Sequence, residues 1–276
     1  MHSTASDGTT PPEDLPALAA EAGLSAIALT DHDTTAGLAG CAEAAAKIGL
    51  RFVPGIELSA DPGKPSGTMH VLGYGVREPA PDLAAITRQL HAARAERAPR
   101  IVDRLRELGV DITMDEVAEQ ADGASIGRPH IATVLVAKGY VKTVEDAFRR
   151  YIGQGGPAYF RKDRVAPADA IDAIHGAGGL AVLAHPIQLR YEDDAELNAT
   201  VSRRVDAGLD GLEVWRPDHR GDLVAQYAAL AARFDLITTG GSDFHGHRKP
   251  NPLGIPRVPT DVLDAIDETR SRKSSS

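Results

Sequence analysis

The feature that most constrains this chain is a device it repeats: a short apolar run that ends abruptly in a carboxylate or an imidazole. Ala26-Ile-Ala-Leu leads through Thr30 to Asp31, His32 and Asp33. Phe52-Val53 leads to Ile56-Glu57-Leu58, and Ala181-Val-Leu-Ala leads to His185. Leu236-Ile-Thr leads, through two glycines, to Ser242-Asp243-Phe244-His245. Apolar runs this short read as buried strands, and strands buried on both faces belong to parallel sheets covered by helices. Several such strands ending in Asp, Glu or His point to one shared site at the strand ends of an α/β fold.

Between these runs the pattern is helical. Strands are predicted over 26–30, 51–59, 71–76, 180–184, 211–215 and 236–239, with helices over 10–22, 35–48, 167–177, 192–207, 219–234 and 260–270. The helix over 10–22 is read from Thr10 as N-cap and Pro11 at the first helical position. Residues 61–68, rich in Pro and Gly, read as a loop. From 79 to 178 the strand signal nearly vanishes, and Pro99 is expected to end or kink the helix that starts near Leu83. Further helices are predicted over 114–121, 129–137 and 143–152. This block reads as a helical insertion dividing the α/β body into 1–78 and 179–276. Residues 271–276 carry no apolar side chain and are expected to be a disordered tail.

Bulk properties exclude some functions. A net charge of −9 argues against broad binding to duplex DNA, which needs a positive footprint. No apolar run approaches the ~20 residues of a membrane span, and no leader pattern opens the chain. The lone Cys41 rules out an internal disulfide and suits a reducing compartment, so the expected location is cytoplasmic. Cys41 itself reads as a small core residue.

Ten histidines are present. His32, His185 and His245 follow apolar strands, His70 precedes one, and Asp7, Asp31, Glu57 and Asp243 stand in comparable places. A single histidine at a strand end is usually a packing residue, but four in register, each with a carboxylate nearby, point to a cluster of divalent cations. Mixed His and carboxylate ligation suits Mn, Fe or Zn, and one cysteine excludes thiolate zinc. His91, His175, His219 and His247 read as structural, as does Trp215. Gly153-Gln-Gly-Gly-Pro lacks the Lys-Ser/Thr of a phosphate loop.

His2-Ser-Thr-Ala-Ser-Asp-Gly, Thr30-Asp-His-Asp, Gly55-Ile-Glu-Leu-Ser, His70-Val-Leu-Gly-Tyr, Ala184-His-Pro and Gly241-Ser-Asp-Phe-His-Gly resemble, in order, the motifs of the PHP (polymerase and histidinol phosphatase) family. Ser125-Ile-Gly-Arg-Pro-His-Ile-Ala resembles the insertion of a branch of phosphoesterases that act on nucleoside 3′,5′-bisphosphates and on short RNA from its 5′ end. The resemblance implies a distorted seven-stranded (β/α) barrel with two to three divalent ions, manganese favoured, at the strand ends. It assigns His2, Glu57 and Asp243 to one ion; Glu57, His70 and His185 to a second; and Asp7, His32 and His245 to a third. Asp31 and Asp33 would orient imidazoles such as His32 from behind, and Arg128 and His130 would grip a second phosphate of a nucleotide or short single-stranded RNA. The family's first motif begins Asp-Leu-His-x-His, and Met1 stands at its variable position. The first strand is therefore expected to be missing from this chain, and a start codon placed too far downstream is the favoured account. Two other functions fit the same residues: a histidinol-phosphate-type phosphatase, and a degenerate PHP module without catalysis.

Overall fold

A computed structural model describes residues 1–63, 67–121, 126–161 and 164–274. Parts of the predicted 61–68 loop, Ser125 of the insertion motif and residues 275–276 lie outside them. The elements in chain order are α1 (Leu15–Glu21), β1 (Ala26–Leu29), α2 (Leu38–Lys47), β2 (Arg51–Ala60), β3 (Met69–Tyr74), α3 (Pro81–Glu107), α4 (Met114–Ala121), α5 (Arg128–Ala137), α6 (Val144–Ala147) with a π turn over Phe148–Ile152, α7 (Pro167–Gly176), β4 (Leu180–Leu183), α8 (Asp194–Val205), β5 (Gly211–Trp215), α9 (Gly221–Arg233), β6 (Ile237–Gly240) and α10 (Asp261–Ser274).

The chain divides into two compact units, Met1–Thr87 with Arg164–Ser276, and Arg88–Asp163. The second unit is narrower at both ends than the predicted 79–178 block. The first turns of α3 count with the α/β body, and α7 packs on β2, β3 and β4.

In the first unit the strands form one six-stranded sheet in the order β1-β2-β3-β4-β5-β6. Neighbours pair in parallel except around β3, which runs antiparallel to both β2 and β4. The sheet curls so that its two ends meet through Met1 and His2. The Met1 carbonyl accepts from Thr30 N–H at 2.9 Å beside β1, and His2 N–H donates to the Phe244 carbonyl at 2.8 Å beyond β6. Strand alternation sorts the side chains. Ile27 and Leu29 pack with Leu15, Ala19 and Cys41 in the helix layer. Ala28 turns the other way, towards Val53, Leu72, Tyr74, Val182 and Ala184.

Three predicted elements are corrected. Helix α1 starts at Leu15, not near Thr10, because Pro16 is tolerated only in a first turn and residues 11–14 close a turn instead, with Asp14 N–H donating to the Pro11 carbonyl. Helix α3 runs unbroken through Pro99. The missing N–H removes one helical bond, but Ala98, Ile101, Val102 and Leu105 bury together on both sides of it with Ile112, Ile131 and Leu135 of the second unit's core. Residues 271–274, expected to be disordered, form the last turn of α10. Arg272 and Lys273 there complement the helix dipole, and Lys273 pairs with Asp210. Among the described residues no helix is long and apolar enough to cross a membrane.

Asp210, just before β5, ties α10 and α7 to the sheet. It accepts from Ala181 N–H (2.8 Å) and pairs with His175 (2.8 Å) and Lys273. Burial pushes its carboxyl up, but these partners hold it below the usual range. A carboxyl depressed on folding stabilises above its unfolded value of about 3.9, and that contribution fades as pH falls through the folded value. Asp210→Asn is expected to cost about 1–3 kcal/mol at pH 7, and urea melts of variant and wild type should converge below about pH 4. A gap that widens in acid would contradict this account.

Candidate metal centre

The strand ends carry the site, and the reversed direction of β3 explains why His70 opens its strand while the other candidates follow theirs. His70 pairs with Ser59 near the end of β2, and Val71 with Leu183 at the end of β4, so the start of β3 lies on the same rim. His32 bridges to Glu57 beside β1 and β2. His185 follows β4, while Asp243 and His245 follow β6. His2 and Asp7 arrive on the loop before α1, which folds back on itself through Ser6 N–H and Gly8 N–H to the Ser3 carbonyl (3.1 and 2.9 Å). Position 8 admits only glycine, since a Cβ there would lie 2.3 Å from the His2 carbonyl oxygen.

Glu57 is the hub. Its Oε1 lies 2.6 Å from His70 Nδ1 and 3.0 Å from His185 Nε2. Its Oε2 lies 3.0 Å from His2 Nε2 and 3.7 Å from His32 Nδ1. His2 Nε2 is also 3.2 Å from Asp243 Oδ1, and Asp7 reaches His245 Nε2 at 3.3 Å and His32 Nε2 at 3.9 Å. Thus His2, Asp7, His32, Glu57, His70, His185, Asp243 and His245 stand in one cluster. Within it, three groups have ligand atoms within 4.8 Å of one another: His2-Asp7-His32-His245, His32-Glu57-His70 and His2-Glu57-Asp243. His2, Glu57, His185 and Asp243 also line a cavity of about 740 Å³ inside the first unit.

The electrostatics fit a cation at the centre. Burial pushes Glu57 up, yet His32 and His70 hold it well below the usual carboxylate range. Asp7 is likewise depressed, by His245, His32 and His2, against the effect of burial. Burial lowers His2, but the carboxylates of Asp243 and Glu57 outweigh it and raise it to about 9. His32 is held well below 6.5 by burial, with His2 and His70 adding to the effect. The fit shows most directly in unsatisfied atoms. His245 Nδ1 donates to the Asp243 carbonyl at 2.8 Å, which turns Nε2 towards Asp7 Oδ1 at 3.3 Å. Both of those atoms are buried without a hydrogen-bond partner, as are His2 Nδ1 and His32 Nδ1. Buried ring nitrogens and carboxylate oxygens that face one another without a hydrogen bond are what a divalent cation satisfies.

Asp31 and Asp33, expected to orient imidazoles from behind, both accept from serines beside the cluster. Asp31 accepts from Ser3 N–H (2.7 Å), Ser3 Oγ (2.6 Å) and Ser6 Oγ (2.5 Å), and so fixes the loop that carries His2 and Asp7. Asp33 accepts from Ser59 N–H (2.8 Å) and Oγ (3.0 Å).

Arg128 and His130 lie in the second unit. Arg128 Nη1 donates to the Ile152 carbonyl at 3.2 Å, and its guanidinium sits over the rings of Phe148 (5.2 Å) and Tyr159 (5.7 Å). His130 Nδ1 accepts from Gly127 N–H (3.1 Å) at the start of α5.

Sequence reasoning missed Glu213, Arg216, Lys249, Ser3 and Ser6. Glu213 follows the same strand-then-acid pattern as the others, in Gly211-Leu-Glu-Val-Trp, and could have been found by it; the rest carry no local signal. Trp215 packs with Leu180, Val262 and Ile266. Cys41 is buried, which pushes its thiol up to about 12.

A PHP domain model matches residues 1–153. The chain is 36% identical over 248 residues to a phosphoribosyl 1,2-cyclic phosphate 1,2-diphosphodiesterase of Eggerthella lenta (89% of this chain, 92% of the relative). It is 36% identical over 251 residues to a 3′,5′-nucleoside bisphosphate phosphatase of Chromobacterium violaceum (89% and 85%). A 5′-3′ exoribonuclease of Haemophilus influenzae is 34% identical over 245 residues (88% and 88%). Among solved structures, a protein described as a metal-dependent phosphoesterase from Bifidobacterium adolescentis superposes with a TM-score of 0.80 at 36% identity, covering 98% of this chain and 94% of the other.

Proposed function

The chain belongs to the PHP domain family, and on that premise we propose that it is a metal-dependent phosphoesterase that removes phosphate from nucleoside 3′,5′-bisphosphates and degrades short RNA from its 5′ end. The observation that carries this reading is the convergence of five imidazoles and three carboxylates on one rim, with buried nitrogen and oxygen atoms left without hydrogen-bond partners. That arrangement also speaks against a degenerate module, which has no need to keep such atoms together. We read the curled six-stranded sheet as the family's seven-stranded barrel with Met1 and His2 in the place of its first strand.

His2, Glu57 and Asp243 would hold one ion, Glu57, His70 and His185 a second, and Asp7, His32 and His245 a third, manganese being favoured. Such ions, when bound, polarise phosphoryl oxygens and acidify water enough for hydrolysis near neutral pH. The protein's own part is orientation. Glu57 presents one oxygen to each of two ligand sets, while Asp31 clamps the loop bearing His2 and Asp7. The side chain of Asp7, 45% exposed, marks the solvent side of the centre. No cysteine nucleophile competes, since Cys41 is buried and protonated in the helix layer.

The test is release of phosphate, or of mononucleotides from RNA, by protein loaded with Mn(II). Its substrates are a nucleoside 3′,5′-bisphosphate, a 5′-phosphorylated RNA oligomer, a ribose 1,2-cyclic phosphate and histidinol phosphate. The expected result is a kcat/KM for the bisphosphate on the order of 10²-fold or more above that for histidinol phosphate, lost on chelation and regained with Mn(II). Preference for the cyclic diester or histidinol phosphate, or release that survives exhaustive chelation, would overturn it.

A further inference from the structure

The end of β5 supplies none of the eight residues of the cluster, yet its side chains hold two of them. Glu213, 5% exposed, accepts at Oε2 from the backbone N–H of His185 at 2.6 Å. Arg216, also 5% exposed, donates from Nη2 to Asp243 Oδ2 at 3.1 Å and from Nε to Asp218 Oδ1 at 2.9 Å. Its Nη1 lies 3.8 Å from Glu213 Oε2, so the two side chains form one buried pair. Both residues they hold are non-glycine with left-handed backbones: His185 has φ +31° and Asp243 φ +52°. L side chains avoid that region unless the surroundings impose it.

We propose that Glu213 and Arg216 are positioning residues, a buried pair that imposes the backbone conformation of His185 and the carboxylate orientation of Asp243. The proposal rests on the metal-centre reading, in which these two residues serve different ions. With Oδ2 of Asp243 taken by Arg216, and by Lys249 Nζ at 2.8 Å, Oδ1 is left facing His2 Nε2. With its N–H held by Glu213, His185 turns Nε2 towards Glu57 Oε1. A bystander ion pair in the core would not need to touch the ligand residues at these two atoms. Residues that hold ligands from behind commonly change metal affinity 10- to 100-fold when removed.

The test is titration of metal-free protein with Mn(II), following free Mn(II) by its electron paramagnetic resonance signal. The proteins are wild type, Glu213→Ala, Glu213→Gln, Arg216→Met and Arg216→Lys, with thermal midpoints recorded in chelator. Glu213→Ala and Arg216→Met are each expected to weaken one Mn(II) site about 10- to 100-fold. Glu213→Gln should recover most of the loss, because its amide oxygen still accepts from His185 N–H. Arg216→Lys should not, because an ammonium cannot span Asp218 and Asp243 together; it also carries the test should Arg216→Met fail to fold. Variants that bind Mn(II) like wild type, whether or not their midpoints fall, would overturn the proposal while leaving the metal centre intact. Wild type that binds no Mn(II) would overturn the metal-centre reading itself, and this proposal with it.

Discussion

Glu57→Gln is expected to lower kcat/KM for the nucleoside bisphosphate by on the order of 10³-fold or more. The substitution keeps the shape of the side chain but exchanges a charged acceptor for a neutral amide whose NH₂ must face imidazoles. Oε1 serves His70 and His185 while Oε2 serves His2 and His32, so no rotamer of Gln satisfies both sides. Two ions should be affected together, each with apparent affinity reduced at least ~100-fold, so metal analysis after gel filtration should show less Mn(II) per chain. In metal-free protein the same change leaves buried imidazoles without their carboxylate, a loss of about 3–5 kcal/mol by analogy with broken buried pairs. Unchanged metal content together with an unchanged rate would remove Glu57 from the centre.

The second large effect lies behind the ligands. Asp31→Ala removes the acceptor for three short hydrogen bonds from Ser3 and Ser6 and strands a buried backbone N–H. The expected destabilisation is about 3–5 kcal/mol, seen as a shifted urea midpoint. Because the loop carries His2 and Asp7 but not His32 or His70, cation affinity should fall unevenly, most for the sites that His2 and Asp7 complete. The rate should fall on the order of 100-fold. Asp31→Asn, which keeps one carbonyl acceptor, should fall between the variant and wild type. Were Asp31→Ala as stable and as active as wild type, the loop would need another anchor.

What was legible in the sequence was local. The helix over Met114–Ala121 and the strand over Gly211–Trp215 match their predicted bounds because apolar spacing and flanking turns are short-range signals. The abrupt step from apolar to acid or imidazole marked His32, Glu57, His185, Asp243 and His245 as strand-end groups. Pro99 does not end the helix because its cost there is local, whereas the burial of Ile101, Val102 and Leu105 that outweighs it depends on partners distant in sequence.

By itself, then, the sequence determined which residue types stand at the strand ends and that the body is α/β, since both follow from periodicity and side-chain chemistry within a few residues. Only the tertiary structure decided that β3 runs backwards, bringing His70 to the common rim, and that α10 extends to Ser274 on its pairing with Asp210. It alone decided that Glu213 and Arg216 reach His185 and Asp243. Those outcomes depend on which distant segments become neighbours, and burial and pairing energies act only after the chain has brought them together.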